Sequence, residues 1–315
     1  MPNVLCRLPN HVGDCCMALP ALRLLEASGF TPILTGKRWA EDLMAGMGWR
    51  FDPIEGHVTE DLSRIRNLAQ LVGGNPLGLL YPNSFSSALL FKVGGIRSAG
   101  FPTDARSLLL DKKVPEPEKN IHEVERFFRL TEGAIRAWGG TPAWNEPEKT
   151  LGLKLLARHE AAARNLIESL NLPERFALLA PVARGIHNGQ EKHWKHFNEL
   201  CAPLRAKGIE PVVFPSPHEE DDCKKACPDA RICPPTTLGN YAALAKRAEL
   251  VIANDSGISH IAAAVGAKQI TLIGVTTVER TGPWNERARV LGSIEAGWPS
   301  VNAVLDAIDG LLSEN

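Results

Sequence analysis

At 315 residues, the chain is long enough for two domains that each bury a core. Its net charge is −1, with 44% hydrophobic and 23% charged residues. The chain therefore has no overall positive electrostatic field to attract a polyanion, and nucleic acid is not an expected partner. No basic segment followed by an apolar stretch opens the chain, and no apolar run is long enough to span a bilayer. We therefore expect a cytoplasmic protein. The seven cysteines, two of them adjacent, favour free thiols, and we assign no metal ion and no cofactor.

The first half alternates apolar runs with amphipathic segments. Strands are predicted at 4–8, 32–35, 51–54, 77–81 and 98–101. Helices are predicted at 14–27, 38–45, 61–71, 84–93 and 121–138. This alternation implies a parallel sheet. The breaker-rich stretch 139–147 predicts a boundary between a domain at 1–150 and one at 151–315.

The second half repeats the same alternation. Strands are predicted at 176–180, 211–214, 250–253 and 269–273. Helices are predicted at 155–169, 196–207, 238–247, 257–265 and 301–312. The chain is therefore predicted to be α/β, with two doubly wound parallel sheets. Because ligands of such sheets bind beyond the carboxyl ends of the strands, we expect a cleft between two facing halves.

The segment from Asn254 to His260 is the strongest candidate for a ligand site. It follows the strand 250–253 and opens an alanine-rich helix, so free N–H groups lie at the end of a strand. Such a helix start attracts anions, and Gly257 lets a phosphate approach the backbone. Ser256 can add a hydroxyl donor. The alternative is that Asp255 or Ser256 only caps the helix.

Two further segments are expected at the same edge of the sheet. Thr276 and Thr277 follow the strand 269–273 and lead to a polar loop at 280–284, although ordinary turn chemistry explains both threonines equally well. Lys192 lies between the strand 176–180 and the next helix, where its ammonium group can reach a phosphate.

The first strand-to-helix turn, residues 9–14, presents Asp14 at the mouth of the expected cleft. Opposite an electrophilic sugar, this carboxylate can act as a general base. The alternative is that Asp14 is an N-cap. His11 lies in the same loop, where a lone histidine usually satisfies local hydrogen bonds.

Several enzyme classes lose support because their motifs are missing. The sequence contains no GxGxxG after a strand, no P-loop lysine pattern, no HExxH and no GxSxG. This argues against a dehydrogenase, a kinase and an esterase. The acidic run 219–222 is interpreted as the solvated first turn of a helix.

Together, these segments resemble the ADP-heptose:lipopolysaccharide heptosyltransferases, glycosyltransferase family nine, and especially the heptosyltransferase II branch. The matching pieces run along nearly the whole chain, at 8–14, 19–23, 82–88, 192–194, 253–266 and 281–283. Each piece is short, and their order and spacing make the resemblance specific.

The resemblance implies a GT-B fold of two facing Rossmann-like domains. The first domain would bind the acceptor and the second the nucleotide-sugar, with a final helix that can cross back to the first. The implied reaction is an inverting, metal-independent transfer of heptose from ADP-L-glycero-D-manno-heptose to a lipopolysaccharide inner-core acceptor. Asp14 would take the proton of the acceptor hydroxyl.

Particular donor contacts follow from the resemblance. Lys192 would neutralise the diphosphate, the helix start at 256–258 would bind it, Asp255 would hold sugar hydroxyls and His260 would lie near the phosphates. The full set of candidate donor-binding residues is Lys192, Asp255, Ser256, Gly257, Ile258, His260 and Thr276.

The acceptor is implied to be an anionic glycolipid, reached by peripheral contact at the inner face of the cytoplasmic membrane. The candidate acceptor-binding residues are Asn10, His11, Asn83 and Arg97. Basic residues that can face its anionic groups, although each alone is expected on solvated surface, are Lys92, Arg97, Arg106, Lys112 and Lys113.

Two loops depart from the family pattern. Residues 180–190 replace a compact turn that contacts phosphate, and residues 214–219 replace a glycine-rich turn before the nucleotide base. Three alternatives therefore stay open: another nucleotide-sugar or acceptor, a sugar-nucleotide epimerase or hydrolase, and a non-catalytic sugar-nucleotide-binding protein.

Overall fold

Both halves of the chain alternate strands with helices, as the sequence predicts. The structure, a computed structural model, describes residues 1–103, 105–183, 186–187 and 190–314. The chain divides into two units, Met1–Glu148 and Lys149–Asn315.

The first unit holds one parallel six-stranded sheet of order β3-β2-β1-β4-β5-β6. Its strands are β1 (Asn3–Arg7), β2 (Thr31–Gly36), β3 (Arg50–Pro53), β4 (Leu77–Leu80), β5 (Arg97–Gly100) and β6 (Lys112–Lys113). Its helices are α1 (Val12–Met17), α2 (Leu19–Ala27), α3 (Trp39–Met44), α4 (Val58–Val72), α5 (Phe85–Val93) and α6 (Glu123–Ala137). Two 3-10 turns occupy Ala45–Met47 and Arg106–Leu108.

The second unit repeats this order as β11-β10-β7-β12-β13-β14, again all parallel. Its strands are β7 (Phe176–Ala180), β8 (Ile186–His187), β9 (Gln190–Glu191), β10 (Glu210–Val213), β11 (Arg231–Ile232), β12 (Leu250–Asn254), β13 (Gln269–Leu272) and β14 (Ala288–Leu291). Its helices are α7 (Ala157–Ser169), α8 (Cys201–Ala206), α9 (Glu220–Ala226), α10 (Leu238–Arg247), α11 (Gly257–Ala264), α12 (Val278–Thr281) and α13 (Val301–Ser313). Strands β8 and β9 form a separate antiparallel pair, and a 3-10 turn at Phe197–Leu200 precedes α8.

Burial on both faces of the sheet explains why the central strands are uninterrupted apolar runs in the sequence. Every residue of β7, β12 and β13 is buried, as expected for a parallel sheet covered by helices on both faces. In the first unit, α4 and α5 pack into the same core cluster as β1 and β4, so these two helices cover one side of that sheet.

One predicted helix is divided in the structure. The segment 14–27 begins two residues earlier than predicted and consists of α1 and α2. Pro20 lies at the start of α2, where its missing N–H interrupts the hydrogen bonds of a continuous helix. The division leaves Asp14 in the first turn of a six-residue helix.

The elements missed by prediction are short. Strands β6 and β11 have two residues each, too few to show a period, and β14 is a partly exposed edge strand. The polar loop predicted after β13 instead contains the short helix α12.

Three predicted features concern the chain as a whole. Helix α13 lies in the second unit, where Val304, Ile308 and Leu311 join the core, and its crossing to the first unit stays a prediction. All seven cysteines are buried and free. Among the described residues, no helix is both long and apolar enough to cross a membrane.

Candidate functional site

The strand order places the candidate residues at two equivalent points. In each sheet the order reverses beside the first strand, between β1 and β4 and between β7 and β12. Ligands of doubly wound sheets bind beyond the carboxyl ends of the strands at such a switch point.

Helix α11 begins directly after β12 with an unusual cap. Ser256 occupies the N-cap position in an extended conformation, but its side chain makes no capping hydrogen bond. The Oγ of Ser256 is buried and has no hydrogen-bond partner. Ser256 thus occupies the cap position, but the alternative that its side chain only caps the helix is not supported, because a capping serine would accept a backbone N–H. A buried hydroxyl and uncapped N–H groups together form a set of donors suited to an anion.

Asn254 connects the segments around this helix start. Its side chain is fully buried, and its Nδ2 donates to the carbonyl oxygens of Ala180 and Pro181 at 3.2 and 3.0 Å. Its Oδ1 accepts the backbone N–H of Trp194 at 2.8 Å. One amide thus joins the ends of β7 and β12 to the segment that carries Lys192.

Trp194 fixes that segment from its other side. Its ring is 1% exposed and packs edge-on against Phe197, with centroids 5.5 Å apart, and its Nε1 donates to the carbonyl oxygen of Pro299 at 2.8 Å. Lys192, two residues earlier, is half-buried and forms no hydrogen bond or ion pair with any residue the structure describes. Its ammonium group is therefore available to a ligand near the end of β12.

Thr276 lies beyond the end of the neighbouring strand β13. Gly274 precedes it, and a Cβ at Gly274 would come within 2.4 Å of the Trp298 ring, so only glycine allows this close packing. Thr276 is buried, while Thr277 occupies the N-cap of α12 without a capping bond from its side chain. The adjacent ends of β12 and β13 thus both carry hydroxyl groups.

The remaining donor candidates lie on or beside α11. Asp255 is half-buried, and its backbone N–H bonds to the carbonyl oxygen of Leu272 at 3.1 Å. Gly257 and Ile258 are the first two residues of α11, and His260, its fourth residue, is buried. The structure thus brings these candidates together at one edge of the second sheet.

In the first unit, Asp14 belongs to the first turn of α1, and the N-cap position is His11. The alternative that Asp14 caps the helix is therefore wrong. Burial, and then the charge of Asp14, raise the pKa of Cys16 to about 12, so this neighbouring thiol stays protonated. His11 is exposed and its side chain makes no capping bond.

A buried arginine organises the loop before α1. Arg7, at the end of β1, donates to Asn10 Oδ1 at 2.6 Å and to the Leu8 carbonyl oxygen at 2.5 Å. Burial lowers the pKa of Arg7, although the guanidinium group stays charged at neutral pH. Asn10 is therefore held in place by a cation before any ligand binds.

A second buried arginine holds the end of β4. Arg106 is fully buried and donates to the carbonyl oxygens of Phe101, at 2.8 Å, and Pro82, and to Asn83 Oδ1 at 2.7 Å. The prediction that Arg106 lies on solvated surface is wrong. The guanidinium group instead orients Asn83, which lies beside the turn that carries Asn10 because β4 neighbours β1.

Arg97 does not join this group. It is the first residue of β5 and is exposed, so it lies at the amino edge of the sheet, opposite Asn10 and Asn83. At about 3.3 Å per residue, the length of β5 separates Arg97 by roughly 10 Å from the ligand edge, the carboxyl edge of the sheet where Asn10 and Asn83 lie. The structure therefore does not bring Arg97 together with Asn10 and Asn83, and its contact with the acceptor stays a prediction.

The atypical loop 180–190 lies partly outside the described residues, and its contribution to phosphate binding stays untested. The second atypical loop, 214–219, is a polar turn in which Ser216 Oγ donates to Glu219 Oε2 at 2.6 Å. Its contact with a nucleotide base also stays a prediction.

Sequence reasoning missed the positioning roles of Arg7, Arg106 and Asn254. A signal existed for Arg7, since an arginine at the end of an apolar strand is expected to be buried with partners. The partners of Arg106 and Asn254 come from distant segments, and no local pattern reveals them.

Comparison with known proteins gives a consistent result. The family model for glycosyltransferase family 9 (heptosyltransferase) matches residues 65–304. Lipopolysaccharide heptosyltransferase 2 of Escherichia coli K12 is 25% identical over 308 residues, covering 90% of this chain and 86% of that protein. The solved structure of E. coli ADP-heptose lps heptosyltransferase II matches with a TM-score of 0.80 at 22% identity, covering 98% of both chains.

A second solved structure, E. coli heptosyltransferase WaaC with ADP, matches with a TM-score of 0.76 at 20% identity, covering 98% of this chain and 99% of that one. These neighbours and the two parallel sheets confirm the predicted GT-B fold class. The resemblance drawn from the sequence motifs is confirmed as well.

Proposed function

The chain belongs to glycosyltransferase family 9, the heptosyltransferase family, and from this premise we propose that it transfers a heptose from ADP-L-glycero-D-manno-heptose to a lipopolysaccharide inner-core acceptor. The relatives support both substrates. Two are named for action on lipopolysaccharide or lipooligosaccharide, and one solved neighbour holds ADP.

The observation that carries the proposal is the start of α11. The buried, unpartnered Oγ of Ser256 and the uncapped helix N–H groups offer donors to a diphosphate. Lys192 supplies a positive charge from a segment that Asn254 holds in place. In this proposal Asp255 binds sugar hydroxyls, and His260 and Thr276 complete the donor contacts.

We assign the general base to Asp14. The carboxylate accepts the proton of the acceptor hydroxyl while that oxygen attacks the anomeric carbon and the bond from this carbon to the diphosphate oxygen breaks. Attack opposite the leaving group inverts the configuration, and ADP departs with the bonding electrons. Asp14 lies in the first turn of α1, where the helix dipole favours a negatively charged side chain.

The departing diphosphate gains negative charge in the transition state. The ammonium of Lys192 and the N–H groups of Gly257 and Ile258 are proposed to stabilise it, so the transfer proceeds without a metal ion. Preorganised donors of this kind typically contribute about 3–4 kcal/mol of barrier reduction each.

The acceptor would be positioned by the first unit. Asn10 and Asn83 are held by Arg7 and Arg106, respectively, and each retains amide N–H groups to donate to sugar hydroxyls or phosphates. His11 is exposed beside them.

The test is transfer with purified components. We expect incubation with ADP-heptose and a heptose-accepting core oligosaccharide to release one ADP per heptose added, with the product mass raised by one heptose. Donor incubated alone should stay intact. Donor conversion without acceptor would instead indicate an epimerase or a hydrolase, and binding without turnover for every acceptor would indicate a non-catalytic protein.

A further inference from the structure

The outer side of α5 carries a row of uncovered apolar side chains. Phe85, Leu89 and Val93 are spaced at i, i+4 and i+8, which places them on one side of the helix. Phe85 is 48% and Val93 44% exposed, and Leu89 is half-buried. The opposite side of α5 packs into the core of the first unit. The helix is therefore apolar on both sides, unlike a typical surface helix.

A fourth apolar side chain lies beside this row. Leu108 ends the 3-10 turn Arg106–Leu108, which contacts α5, and it is 87% exposed. The buried hydrogen bonds of Arg106 anchor the turn, and an ion pair of 3.7 Å between Lys92 and Asp111 attaches the following segment to α5. The fold thus holds a leucine in solvent on a fixed turn. We call Phe85, Leu89, Val93 and Leu108 the α5 face.

The distribution of exposed apolar side chains is uneven. Six large hydrophobic residues are exposed among the described residues, and three of them belong to the α5 face. A fourth, Leu71, lies near the end of α4, which packs beside α5. Single exposed apolar residues need no explanation, whereas a cluster of this kind marks a contact surface.

The charge around the α5 face is positive. Residues 62–113 contain seven basic and two acidic residues in a chain whose net charge is −1, and residues 62–103 contain no acidic residue. Six of these basic residues can contribute to the surface charge, because Arg106 is buried. Arg66, Lys92, Arg97 and Lys113 are all exposed. A positively charged rim around an apolar patch matches the surface of an anionic bilayer, whose phosphates attract lysine and arginine.

We propose that the α5 face docks on an anionic lipid bilayer, with Phe85, Val93 and Leu108 entering the headgroup boundary and Lys92 and Arg97 contacting lipid phosphates. This inference rests on the proposed function, because a lipopolysaccharide precursor is anchored in such a bilayer by its acyl chains. Docking there would hold the first unit where the acceptor sugars emerge. It also gives Arg97 a role at the edge of the sheet away from Asn10 and Asn83.

The experiment measures binding of the full chain to vesicles in the absence of donor and acceptor. We expect the protein to float with vesicles of equal parts phosphatidylcholine and phosphatidylglycerol, to bind phosphatidylcholine vesicles much less, and to be released in 1 M salt, where the Debye length is about 3 Å. Phe85→Ser combined with Leu108→Ser should abolish flotation. Lys92→Gln and Arg97→Gln should each weaken binding about fivefold.

Ile294→Ser is the matched control, because Ile294 is as exposed as Val93 but lies in the second unit, and this variant should bind vesicles like the wild type. Transfer to a soluble, deacylated acceptor reports the proposed function independently, and Phe85→Ser/Leu108→Ser should leave it unchanged.

Wild-type protein that fails to bind anionic vesicles would overturn the docking proposal whatever its transferase activity. Equal binding by Phe85→Ser/Leu108→Ser would also overturn it. A dimer in sedimentation velocity that this double variant dissociates would assign the α5 face to a second copy of the chain instead. Loss of transfer to the soluble acceptor by the wild type would contradict the proposed function and leave the vesicle result to stand on its own.

Discussion

The two sheets share one strand order, but their ligand edges are built differently. In the second unit a neutral amide, Asn254, joins the strand ends, and the hydroxyl of Ser256 has no partner. In the first unit two buried guanidinium groups, Arg7 and Arg106, hold the edge, and the amides of Asn10 and Asn83 already accept hydrogen bonds from them.

This difference suggests how each edge is adapted to its ligand. In the second unit, the buried hydroxyl of Ser256 lacks a hydrogen-bond partner, which costs free energy. A bound diphosphate would accept this hydrogen bond and remove that cost, so the edge suits a ligand of this kind. An edge fixed by internal cations orients its polar side chains in advance, which suits precise placement of an acceptor hydroxyl.

The largest expected effect concerns the base. Asp14→Asn should reduce kcat about 10²–10⁴-fold, because the acceptor hydroxyl then loses its proton acceptor, while binding of ADP-heptose changes little. Steady-state kinetics and donor titration measure the two effects separately. Asp42→Asn is the matched control, since Asp42 also lies in the first turn of a six-residue helix. Equal kcat for Asp14→Asn and the wild type would remove Asp14 from the mechanism.

The next effect tests whether the ligand edge of the first unit depends on the buried guanidinium group of Arg106. Arg106→Met should destabilise the first unit by about 3 kcal/mol, because two buried carbonyl oxygens and Asn83 Oδ1 lose their donor. Urea unfolding gives the loss, and hydrogen exchange should locate it in the first unit. Arg136→Met removes an arginine that is 56% exposed in its ion pair and should cost about 0.5 kcal/mol or less. Similar losses for both variants would contradict a special role for the buried arginine.

How far sequence predicts these edges depends on the range of the interactions involved. Helix α10, strand β7 and the start of α11 were predicted because apolar periodicity and the Asn254–Gly257 pattern are local signals. The partners of Asn254 lie 60 to 74 residues away in sequence, so no local pattern could show which loops it joins. The exposure expected of Arg106 was wrong for the same reason. Arg97, in contrast, could have been placed from sequence, because a residue at the start of a parallel strand lies away from the ligand edge.

A smaller pair of effects compares two serines of the second unit that occupy N-cap positions, Ser300 and Ser256. Ser300 caps α13 by accepting the N–H of Ala303 at 3.2 Å, whereas Ser256 caps nothing. Ser300→Ala should therefore cost about 1 kcal/mol of stability and leave ADP binding unchanged. Ser256→Ala should leave stability unchanged and weaken ADP binding about tenfold, the loss of one hydrogen bond to a charged group.

Thermal melting and calorimetric titration of ADP measure this pair. Loss of stability in Ser256→Ala, with unchanged ADP affinity, would return Ser256 to the role of a helix cap.

The smallest effect is a pH dependence. Burial raises the pKa of Glu160 and of Glu132, but hydrogen bonds and charges from paired cations outweigh it, so each pKa is lowered. A lowered pKa contributes stability above the unfolded value, and this stability is lost as pH falls through the folded value. Glu160 joins α7 to Lys246 and Arg247 of α10, whereas Glu132 pairs within α6.

Glu160→Gln should therefore cost about 0.5–1 kcal/mol at neutral pH, more than Glu132→Gln, and the difference from wild type should shrink below about pH 4. Unfolding measured from neutral to acid pH checks both magnitude and sign. A difference that grows toward acid pH would contradict the ion-pair explanation.

The most direct test of the central claim, that the second unit holds the donor diphosphate beside α11, is calorimetric titration of ADP into Lys192→Met and Lys195→Met. The two lysines flank the anchored Trp194, but Lys195 is exposed whereas Lys192 is half-buried. We predict that Lys192→Met binds ADP at least tenfold more weakly than wild type, as expected for loss of about 1.5–3 kcal/mol from a charge-assisted contact, and that Lys195→Met binds ADP normally. Equal ADP affinity in Lys192→Met and the wild type would contradict the account.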